Sequence, residues 1–251
     1  MSTIIRNKEG IVNSNISLNE KTAYLAGIII GDGNLSNSVK SKKNDLSRDY
    51  RICLDISDKK HLYFVFSIIK ELINTKTLPR KSNLKPNRKL RMNIQIRNKE
   101  LFLFFNEVLG IPRGRKSHIV SIPHLISESN DTLKRYFLAG YFDADGGFRG
   151  KTLGFTTASK NLTKGISSLL NEFDIDHVNE SWINKLYQRK YYGIKLKNSE
   201  IDKFLNSLPL QNEEKLKRIT NRFHMRRCRS GQTGQTQSWS KLRFPRRNLL
   251  A

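Results

Sequence analysis

Cysteine is nearly absent from this chain of 251 residues. Cys53 and Cys228 stand far apart and form no Cys-x-x-Cys pair, which argues against a zinc site and a disulfide framework and fits an intracellular location. Long apolar runs are missing as well. The longest, around Ala23 to Gly31, falls far short of the ~20 residues that span a bilayer, so no membrane association is expected. The opening segment is polar and mixed in charge, without the pattern of a secretory signal. Acidic residues are scarce: 22 Asp and Glu face 46 Lys and Arg, for a net charge of +24 and a pI near 10.2. Such a field implies a polyanionic partner. Nucleic acid comes first, because basic grooves gain affinity from counterion release at phosphates. With 37% hydrophobic residues the chain can still bury one large core or two modest ones, so it is a folded protein and not a basic disordered tail.

What is present is a phrase used twice. Leu25-Ala26-Gly27-Ile28-Ile29-Ile30-Gly31-Asp32-Gly33 and Leu138-Ala139-Gly140-Tyr141-Phe142-Asp143-Ala144-Asp145-Gly146 are both apolar helical runs ending in a small residue, an aspartate and a glycine. The two copies lie roughly 110 residues apart, about one small domain. An apolar helix that stops at a glycine is ordinary, the glycine taking the left-handed position past the last turn. Capping does not require Leu-Ala-Gly at one offset in both places, however, and an acid at a helix C-terminus opposes the helix dipole. A cation between the two carboxylates would account for them.

The repeat extends beyond the motif. Val65, Ile68, Ile69 and Leu72 align with Ile166, Leu169, Leu170 and Phe173, at the spacing of an amphipathic helix. Arg97-Asn98-Lys99-Glu100-Leu101 matches Lys197-Asn198-Ser199-Glu200-Ile201, each opening a further helix. The halves are therefore homologous by internal comparison. The second copy lacks about a dozen residues in its first hairpin, where Gly33 to Arg51 is long and Gly146 to Thr152 is tight.

Between the helices the period becomes two. From Lys89 to Arg97, even positions are apolar, and Lys89, Arg91, Asn93, Gln95 and Arg97 share the other face, the pattern of a strand buried on one side. Arg51 to Ser57, Tyr192 to Lys197 and Thr152 to Thr156 alternate in the same way. The mix of Arg, Lys, Asn and Gln suits phosphates and base edges. Lys89, Arg91, Asn93, Gln95 and Arg97 are candidate DNA-binding residues, as are Arg51, Asp55, Arg149, Thr156, Lys195 and Lys197. The fold class is α+β. Each half reads αββαββα, and two antiparallel sheets side by side form a polar saddle, with the hairpin loops Ser36 to Asp49 and Leu78 to Arg88 reaching along a groove. The expected divisions are an N-terminal half over 20–112, a linker over 113–132, a C-terminal half over 133–225 and a basic tail over 226–251.

These residues resemble the LAGLIDADG homing endonucleases, in the monomeric, two-motif, intron-encoded form. The second motif differs from the family string at only two positions; in the first, Ile30 and Gly31 stand where the string has Asp and Ala. The likeness runs from Thr22 to Lys217. It implies that the motif helices pack together at the centre, with Ala23, Gly27 and Gly31 facing Tyr136, Gly140 and Ala144. Asp32 and Asp145 would then meet beneath the saddle and bind a divalent metal with help from the carbonyls of Gly31 and Ala144. Magnesium is the expected ion, manganese a substitute, and calcium an ion that supports binding without cleavage. Each aspartate would serve mainly one DNA strand. A basic residue near each metal is implied as well: by position Lys116 and Lys215, with Arg115 and Lys217 fitting almost as well. Asp143 falls where the string also carries an acid and is read as structural.

The function implied is a metal-dependent, site-specific endonuclease that makes double-strand breaks in a long asymmetric DNA target. The competing reading is an RNA-binding maturase acting on intron RNA, and a third is a DNA-binding regulator without catalysis. The retained pair of aspartates favours the nuclease. Expected location is a prokaryotic cytoplasm or an organelle. The five histidines show no ligand spacing and read as surface or satisfied polar residues. Trp182 and Trp239 are isolated and read as packing residues. The basic tail is open between an extra DNA-binding arm, a localisation signal and a disordered end.

Overall fold

A computed structural model describes residues 3–7, 10–14, 16–42, 45–81, 92–186 and 188–229. Lys89, Arg91, most of the loop from Leu78 to Arg88, and the tail beyond 229 with Trp239 lie outside the described residues. A hairpin of β1 (Thr3–Asn7) and β2 (Gly10–Ser14) precedes the first half. That half runs α1 (Glu20–Asp32), β3 (Gly33–Lys42), β4 (Asp45–Ile56), α2 (Lys59–Ile73), β5 (Arg80–Lys81), β6 (Met92–Arg97) and α3 (Lys99–Leu103), which continues as a π-helical turn over Phe104–Val108. A connector holds α4 (His124–Ser127). The second half repeats the order with α5 (Asp131–Asp145), β7 (Gly147–Arg149), β8 (Thr152–Thr157), α6 (Lys160–Glu172), β9 (His177–Asn184), β10 (Arg189–Leu196) and α7 (Ile201–Ser207), and α8 (Glu213–Arg229) follows. Both halves are αββαββα as expected. Two expected boundaries differ: α5 begins inside the segment read as linker, and α8 runs through the start of the segment read as tail.

The two four-stranded antiparallel sheets have the same topology, β3-β4-β6-β5 and β7-β8-β10-β9. The period-two pattern decides their faces. Ile52, Leu54, Ile56, Ile94 and Ile96 are buried against helices in the first sheet, and Leu153, Phe155, Ile194 and Leu196 in the second. The segment from Ser36 to Asp49, expected as a loop, is mostly paired strand, with Ser36 opposite Arg51 and Lys42 opposite Asp45.

α1 starts at a capping box, in which the Asn19 side chain accepts from the Thr22 amide while the Thr22 hydroxyl accepts from the Asn19 amide, satisfying donors that the first turn leaves open. From Thr22 to Ile30 every residue is buried. A helix apolar all round belongs in the middle of a protein, and α1 packs there against α5. The approach is backbone to backbone: a Cβ on Gly27 would lie 2.3 Å from the Phe137 carbonyl oxygen, and one on Gly140 would lie 2.1 Å from that of Tyr24. Since Tyr24 meets Gly140 and Gly31 meets Ala144, the helices run in the same direction and end together.

The glycines that close the two motifs are not left-handed caps. Gly33 and Gly146 are extended, at φ −100° and −71°. What they provide is room for the chain to turn from helix straight into strand: a Cβ on Gly33 would come 2.6 Å from the Ile29 Cα, and one on Gly146 2.1 Å from the Phe142 ring.

Candidate active site and nucleic-acid interface

Because α1 and α5 end side by side, Asp32 and Asp145 are delivered to one place. A Cβ on Gly31 would sit 2.5 Å from the Ala144 Cβ and 3.5 Å from the Asp145 carboxyl carbon. Asp32 is half-buried, and Asp145 reaches solvent. The surrounding protein nevertheless pushes the Asp145 carboxyl pKa up, against the pull of Lys215 and Lys116. A carboxylate that is accessible and yet enclosed lies on the floor of a concavity.

Lys116 and Lys215 converge on the same floor from pseudo-equivalent directions. The connector carrying Lys116 is pinned to β3 by the Gly114 amide, which donates to the Leu35 carbonyl at 2.9 Å. The Lys116 ammonium, buried, donates to the carbonyl of Gly33. The Lys215 ammonium donates to the carbonyls of Phe142 at 2.7 Å, Asp143 at 2.8 Å and Gly146 at 2.8 Å, with that of Ala144 at 3.3 Å. Gly33 and Gly146 are the residues after the two aspartates, so each lysine holds the corner behind one of them. Burial lowers the pKa of both lysines, while the charges of Asp32 and Asp145 raise them. Each ammonium also complements the negative end of a helix dipole. The Ala144 carbonyl, implied by the resemblance as a metal ligand, faces Lys215.

The donor set suits a hard divalent cation. Among the described residues no group of three or more His, Cys, Asp and Glu side chains is placed to hold a metal ion. Two carboxylates without a closed cage match an ion that keeps waters and takes further oxygens from phosphates, as magnesium does.

Behind this floor lies a polar network that the sequence reading did not assemble. Asp143 is 2% exposed. Its Oδ2 accepts from the Tyr24 hydroxyl at 2.7 Å and from the amides of Gln211 at 2.7 Å and Asn212 at 3.2 Å. Tyr24 is also within 2.8 Å of the His61 Nε2, and burial lowers the His61 pKa. Asn212 in turn accepts from the Lys215 amide at 3.0 Å. Asp143 therefore ties α1 and α2 to the start of α8, which carries Lys215. Asn212 three residues before Lys215 is an N-cap spacing, and that was the legible signal. His61, at 2% exposure, is a buried partner, in keeping with the satisfied role read for histidines.

The open faces of the sheets carry the remaining candidates. Asp55 accepts from Asn93 at 3.0 Å. Asn93, Gln95 and Arg97 line a groove of about 560 Å³ with Lys76 and Arg80. Arg51 and Arg97 flank Asp49, at 3.3 and 3.1 Å. In the second sheet Arg149 and Lys195 both pair with Glu180, at 2.7 and 2.6 Å. Thr156, half-buried, lies opposite Gly193. Lys197 pairs with Asp176 just past the end of β10, at 2.7 Å. Trp182, expected in packing, is on this open face instead: it stacks on Tyr191 at 6.1 Å and carries the Arg149 guanidinium at 4.6 Å. Alternation places it there, because Ile183 and Ser181 take the other face of β9. No described helix is long and apolar enough to cross a membrane.

Comparison with known proteins fits this geometry. The family model of the LAGLIDADG-like domain matches residues 132–209. The replication factor C small subunit of Methanocaldococcus jannaschii is 30% identical over 202 residues, covering 80% of this chain and 10% of that protein. The probable translation initiation factor IF-2 of the same organism is 33% identical over 91 residues, 34% of this chain and 8% of that protein. The chain thus spans only about a tenth of the length of the curated relatives it matches. Among solved structures, I-DmoI in complex with DNA and Mn superposes with a TM-score of 0.57 at 19% identity, over 76% of this chain and 97% of that one. The I-LtrWI LAGLIDADG homing endonuclease bound to target DNA gives 0.53 at 14% identity, over 86% and 92%. Residues 132–209 are a LAGLIDADG-like domain, and the chain as a whole has the fold of the single-chain, two-domain LAGLIDADG homing endonucleases.

Proposed function

We propose that this protein is a monomeric, divalent-metal-dependent endonuclease that makes double-strand breaks in a long asymmetric DNA site. The observation that carries the reading is the meeting of Asp32 and Asp145 at the paired ends of α1 and α5, with Lys116 and Lys215 behind them. The complexes of I-DmoI with its target DNA and Mg, and with DNA and Ca, support a divalent ion in this role. When bound, such an ion supplies an activated water and positive charge at the scissile phosphate.

The protein's own residues do the rest. Asp32 and Asp145 hold the ion, on a floor where a carboxylate is costly without a cation. Lys116 and Lys215, fixed by glycine carbonyls, place an ammonium near each strand's phosphate and stabilise the charge that builds there. Arg51, Gln95, Arg97, Arg149, Thr156, Lys195 and Lys197 bind phosphates and base edges. One chain supplies both halves, so a single copy meets both strands, and its unequal hairpins meet unlike stretches of duplex.

The test is selection from a randomised duplex library in calcium, followed by magnesium and sequencing of bound and cut ends. The wild type should enrich one long site and cut both strands. Asp32→Asn and Asp145→Asn should each abolish the double-strand break and leave binding intact. Unchanged cutting by either variant would sink the mechanism.

A further inference from the structure

The cluster around Glu180 is more built than phosphate binding needs. Arg149 leaves β7 and crosses the neighbouring strands over two glycines. A Cβ on Gly154 would lie 3.2 Å from the Arg149 Cγ, and one on Gly193 would lie 3.0 Å from its Nη2 and 2.8 Å from the Glu180 Oε1. The guanidinium is therefore laid flat on bare backbone, backed by the Trp182 ring, and its Nη2 donates to the Glu180 Oε1 at 2.7 Å. The second Glu180 oxygen takes Lys195. These cations, Lys195 foremost, hold the Glu180 carboxyl below its usual range, so it is an anion at neutral pH.

An anion on a face meant for phosphates weakens non-specific attraction, and it needs a use. The first sheet offers the contrast. There the acid between two arginines, Asp49, has a side chain 6% exposed and braces them from below. Glu180 has a side chain 28% exposed, beside Arg149 at 24%. Both groups of the second pair can meet a ligand in the groove.

On the reading that this protein binds duplex DNA, we propose that Arg149 and Glu180 together read one G·C base pair from the major groove. The polarity of the pair matches that edge: arginine donates to guanine O6 and N7, and a carboxylate accepts from cytosine N4. A strand ribbon of this kind fits the major groove. Because Trp182, Gly154 and Gly193 have already fixed the arginine, little side-chain entropy is lost on binding.

The experiment is the duplex selection in calcium, run on the full chain and on Glu180→Gln, Arg149→Gln and Gly193→Ala. The wild type should require G·C at one position, and Glu180→Gln should lose about 10-fold or more of that discrimination. At the same time Glu180→Gln should bind random duplex more tightly. Arg149→Gln and Gly193→Ala, which remove or displace the guanidinium, should relax the same position. An enriched site whose base preferences stay unchanged in all three variants overturns the base-pair assignment and leaves the endonuclease reading standing. No enriched site with the wild type overturns both.

Discussion

The two halves of this chain share one strand order and place their long hairpins in opposite positions. In the N-terminal half the first hairpin is long, with strands of 10 and 12 residues, and the described strands of the second have 2 and 6. In the C-terminal half the first has 3 and 6, and the second 8 and 8. The core shows a sharper difference. Tyr24, His61 and Asp143 form one polar set across the centre, and the positions related to them by the repeat are Phe137, Leu162 and Ile30, all buried. A duplicated unit has kept its backbone and made one of two equivalent core sites polar. Both solutions are stable in kind, since a buried polar group is tolerated when its bonds are made and an apolar set of similar shape needs none. Only the polar one reaches Gln211 and Asn212, and through them the start of α8 and Lys215.

The contact both halves share should be the most sensitive to change. Gly140→Ala puts a methyl 2.1 Å from the Tyr24 carbonyl oxygen, a backbone atom that cannot turn aside. A loss above about 4 kcal/mol is expected, in the range of exceptional single substitutions. Chemical denaturation would read it. A variant as stable as the wild type would mean that the helices can separate without cost. Next comes the polar set. Asp143→Ile should cost about 3–5 kcal/mol, because Tyr24 and two amides lose their acceptor. Ile30→Val, at the equivalent site, should cost only about 0.5–1.5 kcal/mol. Adding Tyr24→Phe and His61→Leu to Asp143→Ile copies the other half's solution and should recover part of the loss. Strict additivity of the three changes would show that the residues do not act as a unit.

Much of this was legible in the sequence. Repetition exposed the two halves, and period-two alternation gave the open face of β4, β6, β8 and β10. Both aspartates and the lysines Lys116 and Lys215 could be picked out, the aspartates from the motif and the lysines by family position. What could not be read was whatever depends on who faces whom across the pseudo-twofold. Asp143 was recognisable as structural, but Tyr24 and His61 lie far from it in sequence, and nothing in their spacing announces a shared bond. Glu180 and Trp182 stayed hidden for a related reason. β9 is an edge strand that exposes Val178 and Ile183, so its alternation is blurred, and the arginine that gives both residues a purpose arrives from β7. The closing glycines were legible as needed, but their cause was not. Gly33 and Gly146 serve close approach, and a packing distance is invisible in a single chain of letters.

The smallest expected effect concerns pH, and it separates the polar core site from its apolar counterpart. Burial lowers the His61 pKa in the folded protein, while in the unfolded chain histidine titrates near about 6.5. Between those two values the unfolded state binds a proton that the folded state does not. Stability contributed by the neutral ring is thus complete above about 6.5 and falls as the pH drops, by up to about 1.4 kcal/mol per pH unit, until the folded value is reached. Leu162, the equivalent residue in α6, has no such dependence. Urea unfolding of the wild type and of His61→Gln at pH 7 and pH 5 isolates the contribution, since all other titrating groups are common to both proteins. The variant should lose less stability on acidification than the wild type. Equal losses would mean that His61 is already protonated in the folded state, with Asp143 as its counter-ion, and the polar site would then be an ion pair instead of a neutral hydrogen-bonded chain.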